Sequence, residues 1–289
     1  MTIQSSHLRR LLAGTAAAAL LLALGACAGD PTIESVRASA ADPGGREGST
    51  AAILRVAAST AAAGDYASAA GLYRRAHDLE PRSIEPLLGL GRSFTAVGAL
   101  DEAAGAYKAA LAIDADNVEA LRGYGNTLLA LDQPRAAITQ FEAVLGRADD
   151  AKTYNAMGLA HDMLGDHKAA QACYRTGLNG DPSNLSLRNN LGLSLALSGD
   201  FRESIEVLRA AATAPGAGAR QRLNLAMAYG LAGDTEQATR VARMDLDEQA
   251  VRSNLAFYRM LRTLKDPKAI MQAIGAYAGG ARPDLAQAR

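Results

Sequence analysis

Small residues recur along this 289-residue chain at a fixed interval, and that interval limits the fold more than any other feature. One ladder runs Ala57, Gly91, Gly125, Gly158, Gly192, Ala226. A second runs Gly64, Gly98, Asp132, Gly165, Gly199, Gly233, and a third runs Ala69, Ala103, Ala137, Ala170, Ser204, Ala238. Each steps by 34 residues, with a single step of 33 between the third and fourth rungs. Periods of this size mark chains built from stacked supersecondary units, each burying its apolar face only against its neighbours.

Each ladder has a physical cause. Small residues in the first and third fit where two antiparallel helices approach closely and a larger side chain would force the backbones apart. The second falls in the turn between them, where glycine tolerates positive φ after a helix end. A fourth ladder, Tyr73, Tyr107, Phe141, Tyr174, Leu208, puts a large side chain four residues after the small one, on the same face of the second helix. Composition agrees: 49% of residues are hydrophobic but only 4% aromatic, as suits alanine- and leucine-rich helices rather than a β-sandwich.

These ladders resemble the tetratricopeptide repeat, with units at 50–83, 84–117, 118–150, 151–184, 185–218 and 219–252. The resemblance implies an all-α fold, an α-solenoid of about six helical hairpins with a C-terminal capping helix. Two units depart from the pattern: Arg188 and Arg222 stand early in first helices where the family has a bulky apolar residue, and Asp245 stands where it prefers alanine.

Residues 1–27 read as an export signal, with Arg9 and Arg10 before an apolar run from Leu11 to Leu24 that is short for a bilayer span. Leu24-Gly25-Ala26-Cys27 resembles a bacterial lipobox, which implies lipid attachment at Cys27; Ala26-Cys27-Ala28 also satisfies an ordinary A-x-A cleavage site. Ala28 after the cysteine, by resemblance to enterobacterial sorting, points to the outer membrane and its periplasmic face. Residues 28–49 lack helical periodicity and read as a linker; at about 5–6 Å × √n they reach on the order of 25 Å. A multiply acylated cysteine would suffice as the anchor.

The chain is formally neutral, and without Arg9 and Arg10 it carries 28 basic against 30 acidic residues, which argues against a nucleic-acid binder. Cys173, in a second helix, reads as a small apolar packing residue. His161 and His167, beside Asp162 and Asp166, invite a metal site but lie on opposite sides of a turn, without the i,i+4 spacing of paired ligands; they read as surface or groove residues. No nucleophile motif, phosphate loop or zinc spacing is present, so no catalytic residue, metal or cofactor is assigned. The expected role is protein binding.

In the tetratricopeptide family, partner contacts come from the second, fifth, ninth and twelfth positions of each unit, on a groove lined by first helices. The resemblance places Arg92, Arg122, Asn126, Lys152, Asn155, Asp162 and Asn189 on that groove, with Leu88, Leu159 and Leu193 as its apolar floor. Amide and guanidinium groups there suit an extended peptide or a terminal carboxylate. The carboxylate clamp of chaperone adaptors is matched at Arg122 and Asn126 and departed from at Ala156 and Ser186.

Residues 253–289 form the C-terminal part. Leu255, Phe257, Tyr258, Met260, Leu261 and Leu264 give a helix an apolar surface able to cover the last hairpin, and Asp266-Pro267 opens a short final helix to about Tyr277. The stretches RLNLAMAYGLAGDTEQATRVARMDLDEQAVRSNLAFYRMLR (Arg222 to Arg262) and NNLGLSLALSGDFRESIEVLRAA (Asn189 to Ala211) resemble the TadD lipoproteins of the tight-adherence (Flp) pilus. That resemblance implies an outer-membrane scaffold binding a secretin or pilus-assembly proteins. The alternative is a general envelope adaptor recruiting peptidoglycan hydrolases or outer-membrane insertion factors. Oligomeric state is left open.

Overall fold

The structure is a computed structural model describing residues 49–147, 150–264, 269–270 and 273–274. The export signal with Cys27, the linker up to residue 48, and most of the expected final helix lie outside the described residues. Thirteen helices make up the described chain, and no strand occurs among the described residues. They pair as α1 (Thr50–Ala62) with α2 (Tyr66–Leu79), α3 (Glu85–Val97) with α4 (Leu100–Ile113), α5 (Val118–Ala130) with α6 (Pro134–Leu145), α7 (Ala151–Met163) with α8 (His167–Gly180), α9 (Leu185–Leu197) with α10 (Phe201–Thr213), and α11 (Ala219–Ala232) with α12 (Thr235–Ala242). α13 (Glu248–Leu261) follows. The fold is all-α, built of helical hairpins with a covering helix, and it divides into two compact units whose boundary falls between Thr127 and Leu128.

Six equivalent turns follow from the second ladder. Gly64, Gly98, Gly165, Gly199 and Gly233 have φ between 77° and 90°, and Asp132 has φ 59°. In each, the next amide returns to a carbonyl five residues back, as in Asp166 N to His161 O at 3.0 Å and Gln133 N to Leu128 O at 2.8 Å, satisfying helix-end carbonyls. Asp65, Asp166 and Asp234 then accept from the amide three residues on and open the second helix. Five glycines meet the left-handed requirement without a Cβ penalty; Asp132 is the one non-glycine residue that adopts it among the described residues.

The first ladder faces the fourth rather than another backbone. A β-carbon on Gly91 would lie 2.6 Å from the Tyr107 ring, one on Gly158 2.5 Å from Tyr174, and one on Gly192 2.4 Å from Leu208. Each large side chain of a second helix is therefore seated in the notch left by a glycine of its own first helix. In the N-terminal unit the rings also reach the following hairpin: Tyr73 lies over Gly89 and Tyr107 over Gly123. The ladder of alanines is fully buried, and its one serine, Ser204, donates its hydroxyl to Gly192 O at 2.7 Å. Serine is accepted there because its hydroxyl has a partner.

The N-terminal unit has one core cluster, built on Ile53, Leu54, Tyr73, Leu87, Leu90 and Tyr107. The C-terminal unit carries one around Tyr174, Leu187, Leu191 and Leu195 and another around Leu225, Tyr229, Val251, Phe257 and Leu261. α13 packs on α11 and α12 with Phe257, Tyr258 and Leu261 buried and Leu255, Met260 and Leu264 partly buried. It begins at Glu248, within the span assigned to the sixth repeat, because α12 stops at Ala242 and Asp247 caps a new helix through Ala250 N. Tyr258 takes the notch at Gly230, where a β-carbon would lie 2.3 Å from its ring, so the covering helix uses the same packing as the repeats.

Replacing Gly158 by leucine drives branched carbon into the Tyr174 ring. The expected cost is about 1–3 kcal/mol by overpacking, read as a lower midpoint in chemical denaturation; an unchanged midpoint would show that the ring does not depend on that notch.

Candidate partner-binding face

In the N-terminal unit, Leu88 is buried within the core cluster with Tyr73, Leu87 and Leu90 and contributes to packing rather than to a groove floor. Arg92 on α3 is exposed and its guanidinium pairs with Glu119 on α5. Asn126 on α5 is exposed and Arg122 half-buried. Glu119, at the second position of its unit, is also a family contact position, but its pairing with Arg92 was not legible from single positions.

The C-terminal unit brings the remaining candidates onto α7 and α9. Lys152 is exposed, and Leu159 and Leu193 are half-buried. Asn155 and Asn189 belong to a relay of four amides: Asn224 Nδ2 donates to Asn189 Oδ1 at 2.8 Å, Asn189 Nδ2 to Asn190 Oδ1 at 3.4 Å, and Asn190 Nδ2 to Asn155 Oδ1 at 3.0 Å. The relay ties α7 to α9 and α9 to α11. Asn189 is fully buried, so it holds the helices together instead of facing a ligand, whereas Asn155, Asn190 and Asn224 remain half-buried. Asn190 and Asn224 were missed because the sequence reading followed the fifth position, and these two stand at the sixth of their units. One turn away on the same helices, Leu159, Leu193 and Met227 form a half-buried apolar row.

Asp162, expected on the groove, is 5% exposed and turned into the junction of α7, α8 and α9. Its carboxylate accepts from Ser194 Oγ at 2.6 Å and Tyr174 Oη at 2.9 Å and contacts His167 Nδ1 at 2.8 Å. A buried carboxylate must gather such partners, since the alternative is an unpaired charge in low dielectric. His167 is correspondingly buried, not a surface residue, and its Nε2 has no hydrogen-bond partner among the described residues. His161 is half-buried and does not join it. Among the described residues no group of three or more His, Cys, Asp or Glu is placed to hold a metal ion. Burial raises the Tyr174 phenol well above its ordinary value, and the Asp162 charge adds to the shift. The same two causes push the Cys173 thiol up to about 11, leaving it protonated at neutral pH and poorly nucleophilic.

The two departures in the sixth unit explain each other. Arg222 on α11 donates to Asp245 through Nε at 2.7 Å and a terminal nitrogen at 2.5 Å, a bidentate pair. The hydrogen bonds from Arg222 hold the Asp245 carboxyl below the usual carboxylate range, with its remaining burial working the other way. Arg188, the departure in the fifth unit, donates to Pro182 O in the turn before α9.

Family models described as tetratricopeptide repeat match residues 94–160 in one form and 59–118 and 155–220 in another, together covering 59–220 of the 289 residues. The chain belongs to the tetratricopeptide repeat family. Among solved structures, a tetratricopeptide repeat protein from Parabacteroides merdae is similar at TM-score 0.64 and 16% identity, over 83% of this chain and 96% of that one. PilW, described as a widely conserved type IV pilus biogenesis factor, is similar at TM-score 0.62 and 17% identity, over 69% of this chain and 96% of its own. YrrB, described as having an unusual peptide-binding site, is similar at TM-score 0.51 and 19% identity, over 62% and 95%. At these identities the likeness shows the fold alone. No curated protein matches this tetratricopeptide chain.

Asp245 has a lowered folded pKa, so its stabilising contribution is full above the unfolded value and lost as pH falls below about 4. Asp245→Asn is therefore expected to lower Tm at pH 7 and to converge with the parent chain once pH falls below the lowered folded value of Asp245. Equal Tm at pH 7 would show that the bidentate pair does not stabilise the last hairpin.

Proposed function

We propose that the chain is a lipid-anchored scaffold on the periplasmic face of the outer membrane, capturing partner proteins during assembly of a Flp-type pilus, as in the TadD lipoproteins. The observation that carries the binding reading is the face of α7, α9 and α11, where half-buried amides of Asn155, Asn190 and Asn224 run beside Leu159, Leu193 and Met227. Such a face offers hydrogen bonds to an extended segment and apolar contacts to its side chains. Among the described residues no helix is long and apolar enough to cross a membrane, so attachment rests on the lipobox reading of Cys27. Repeat proteins typically act as interaction scaffolds, and the described polar clusters are explained by packing, which supports a non-enzymatic role.

The pilus assignment draws support from the two stretches that resemble TadD and from the similarity to PilW, itself a pilus biogenesis factor. Lipid attachment would hold scaffold and partner at one surface and raise their effective concentration. Cross-linked affinity capture of the tagged chain from its native envelope, beside Cys27→Ser, tests this. Enrichment of a secretin and pilus-assembly proteins, diminished in Cys27→Ser, is expected. Enrichment of peptidoglycan hydrolases or outer-membrane insertion factors would replace the pilus role with a general envelope adaptor.

A further inference from the structure

The first helix of the array leaves open a face that its counterparts bury. Ala52, Arg55, Val56 and Ser59 stand at i, i+3, i+4 and i+7, on one side of α1. In later repeats the second helix that comes before in the chain covers this side. Tyr73 of α2 lies over Gly89, the equivalent of Arg55, and a β-carbon on Gly177 of α8 would lie 2.9 Å from Leu187, the equivalent of Ala52. Ser194, the equivalent of Ser59, donates to His167 O of α8 at 3.4 Å. Exposure follows from this cover. Ser93, Thr127, Ala160, Ser194 and Ala228 are at most 1% exposed, whereas Ser59 is exposed. Leu90, Leu191 and Leu225 are buried and Tyr124 and Met157 half-buried, whereas Val56 is 44% exposed. α1 thus carries the residue types of a buried contact on a face that no second helix covers among the described residues.

The sequence just before α1 is punctuated like a second helix. Asp42-Pro43 repeats Glu80-Pro81 and Asp181-Pro182, where Glu80 and Asp181 close α2 and α8. Asp30-Pro31 supplies a start: aspartates cap α2, α8 and α12 through the amide three residues on, and Pro134 opens α6. The stretch 31–41 between these signals is longer than the 8 residues of α12. Within it Ile33, Val36 and Ala40 fall at i, i+3 and i+7, one apolar stripe. Three residues are too few to declare a helical period by themselves, and the face of α1 supplies their counterpart. Sizes agree as well. Arg55 fills the position where Gly89 opens a notch for a ring, and residues 28–48 contain no aromatic side chain.

We propose that residues 31–41 form a helix that docks on the Ala52–Val56–Ser59 face of α1 and closes the N-terminal end of the array, as α13 covers α11 and α12. Ile33, Val36 and Ala40 pack against Ala52, Val56 and Ser59, and the short connection through Gly44, Gly45 and Gly48 keeps the segment at high effective concentration. The docking does not depend on the lipid anchor, but it changes what the anchor does. With Cys27 acylated, residues 28–30 alone separate the lipid from this helix, about 10 Å when extended. The N-terminal end of the array is then held at the membrane surface, not about 25 Å from it.

Hydrogen–deuterium exchange of the full chain, purified in detergent from its native envelope, reads this contact segment by segment. Amides of 33–41 are expected to exchange at least about tenfold more slowly than those of an unstructured chain. Val36→Asp should bring them to the unstructured rate and speed exchange in α1, and Val56→Asp should do the same from the other side. Val97→Asp, at an exposed site on α3 outside this face, should change neither. Val36 stands before the repeats, so its substitution tests the contact without entering their core; circular dichroism checks that all three variants stay helical. Unstructured exchange of 33–41 in the parent chain would overturn the proposal. Slow exchange that survives Val56→Asp would also overturn it, since the helix would then be docked elsewhere. A parent mass of two copies by light scattering that falls to one in Val56→Asp, with 33–41 exchanging fast, would give the face to a second copy of the chain instead.

Discussion

Every hairpin that closes around a glycine depends on one contact, a large side chain of the second helix seated where the first helix has no β-carbon. Tyr107 over Gly91, Tyr174 over Gly158 and Leu208 over Gly192 repeat it, and Tyr258 over Gly230 carries it to the covering helix. Interiors are packed densely enough that a single methyl in such a notch is felt. The contact also sets which face of each second helix points inward, and so determines which residues remain for the outside. With few aromatic residues in the chain, these are concentrated where one ring can lock two helices together.

Polar ties act on top of that packing in the C-terminal unit. Asp162 with Ser194, and Asn155 with Asn190, join α7 to α9 at two levels, about two turns apart on α7 and about one on α9. Burying a carboxylate is costly, and a well-packed apolar replacement is often no less stable. What the Asp162 cluster supplies is direction: its Oδ1 and Oδ2 accept only when Ser194, Tyr174 and His167 all face it, which fixes the angle of the fifth hairpin on the fourth. A face built from three successive first helices depends on such fixed register. Fold and proposed function meet in this one requirement.

The periodic part of the sequence was sufficient for the fold. Turn residues were legible because positive φ after a helix end restricts the choice almost to glycine, and the large and small ladders because shape complementarity repeats with the hairpin. The side chains of the face were read less well. Asp162 and Asn189 occupy family contact positions yet are buried, since the sequence does not reveal that Ser194, Tyr174 or Asn224 will come within bonding distance of them. Arg222 and Asp245 each looked like a flaw in the sixth unit. Twenty-three residues apart, they become a salt bridge only once α11 and the end of α12 are side by side. Pairing of polar groups across repeats is a tertiary property, and one-dimensional patterns do not carry it.

The seating of a large side chain in a glycine notch is the central claim, and a double-mutant cycle on Gly192 and Leu208 measures it. Gly192→Ala alone should destabilise by overpacking and Leu208→Ala alone by leaving a cavity. In the double variant the added methyl enters the vacated space, so the loss should fall short of the sum by at least about 0.5 kcal/mol, as for residues in direct contact. Additive losses would mean that the two positions do not share a volume, and the account of how each hairpin closes would be contradicted.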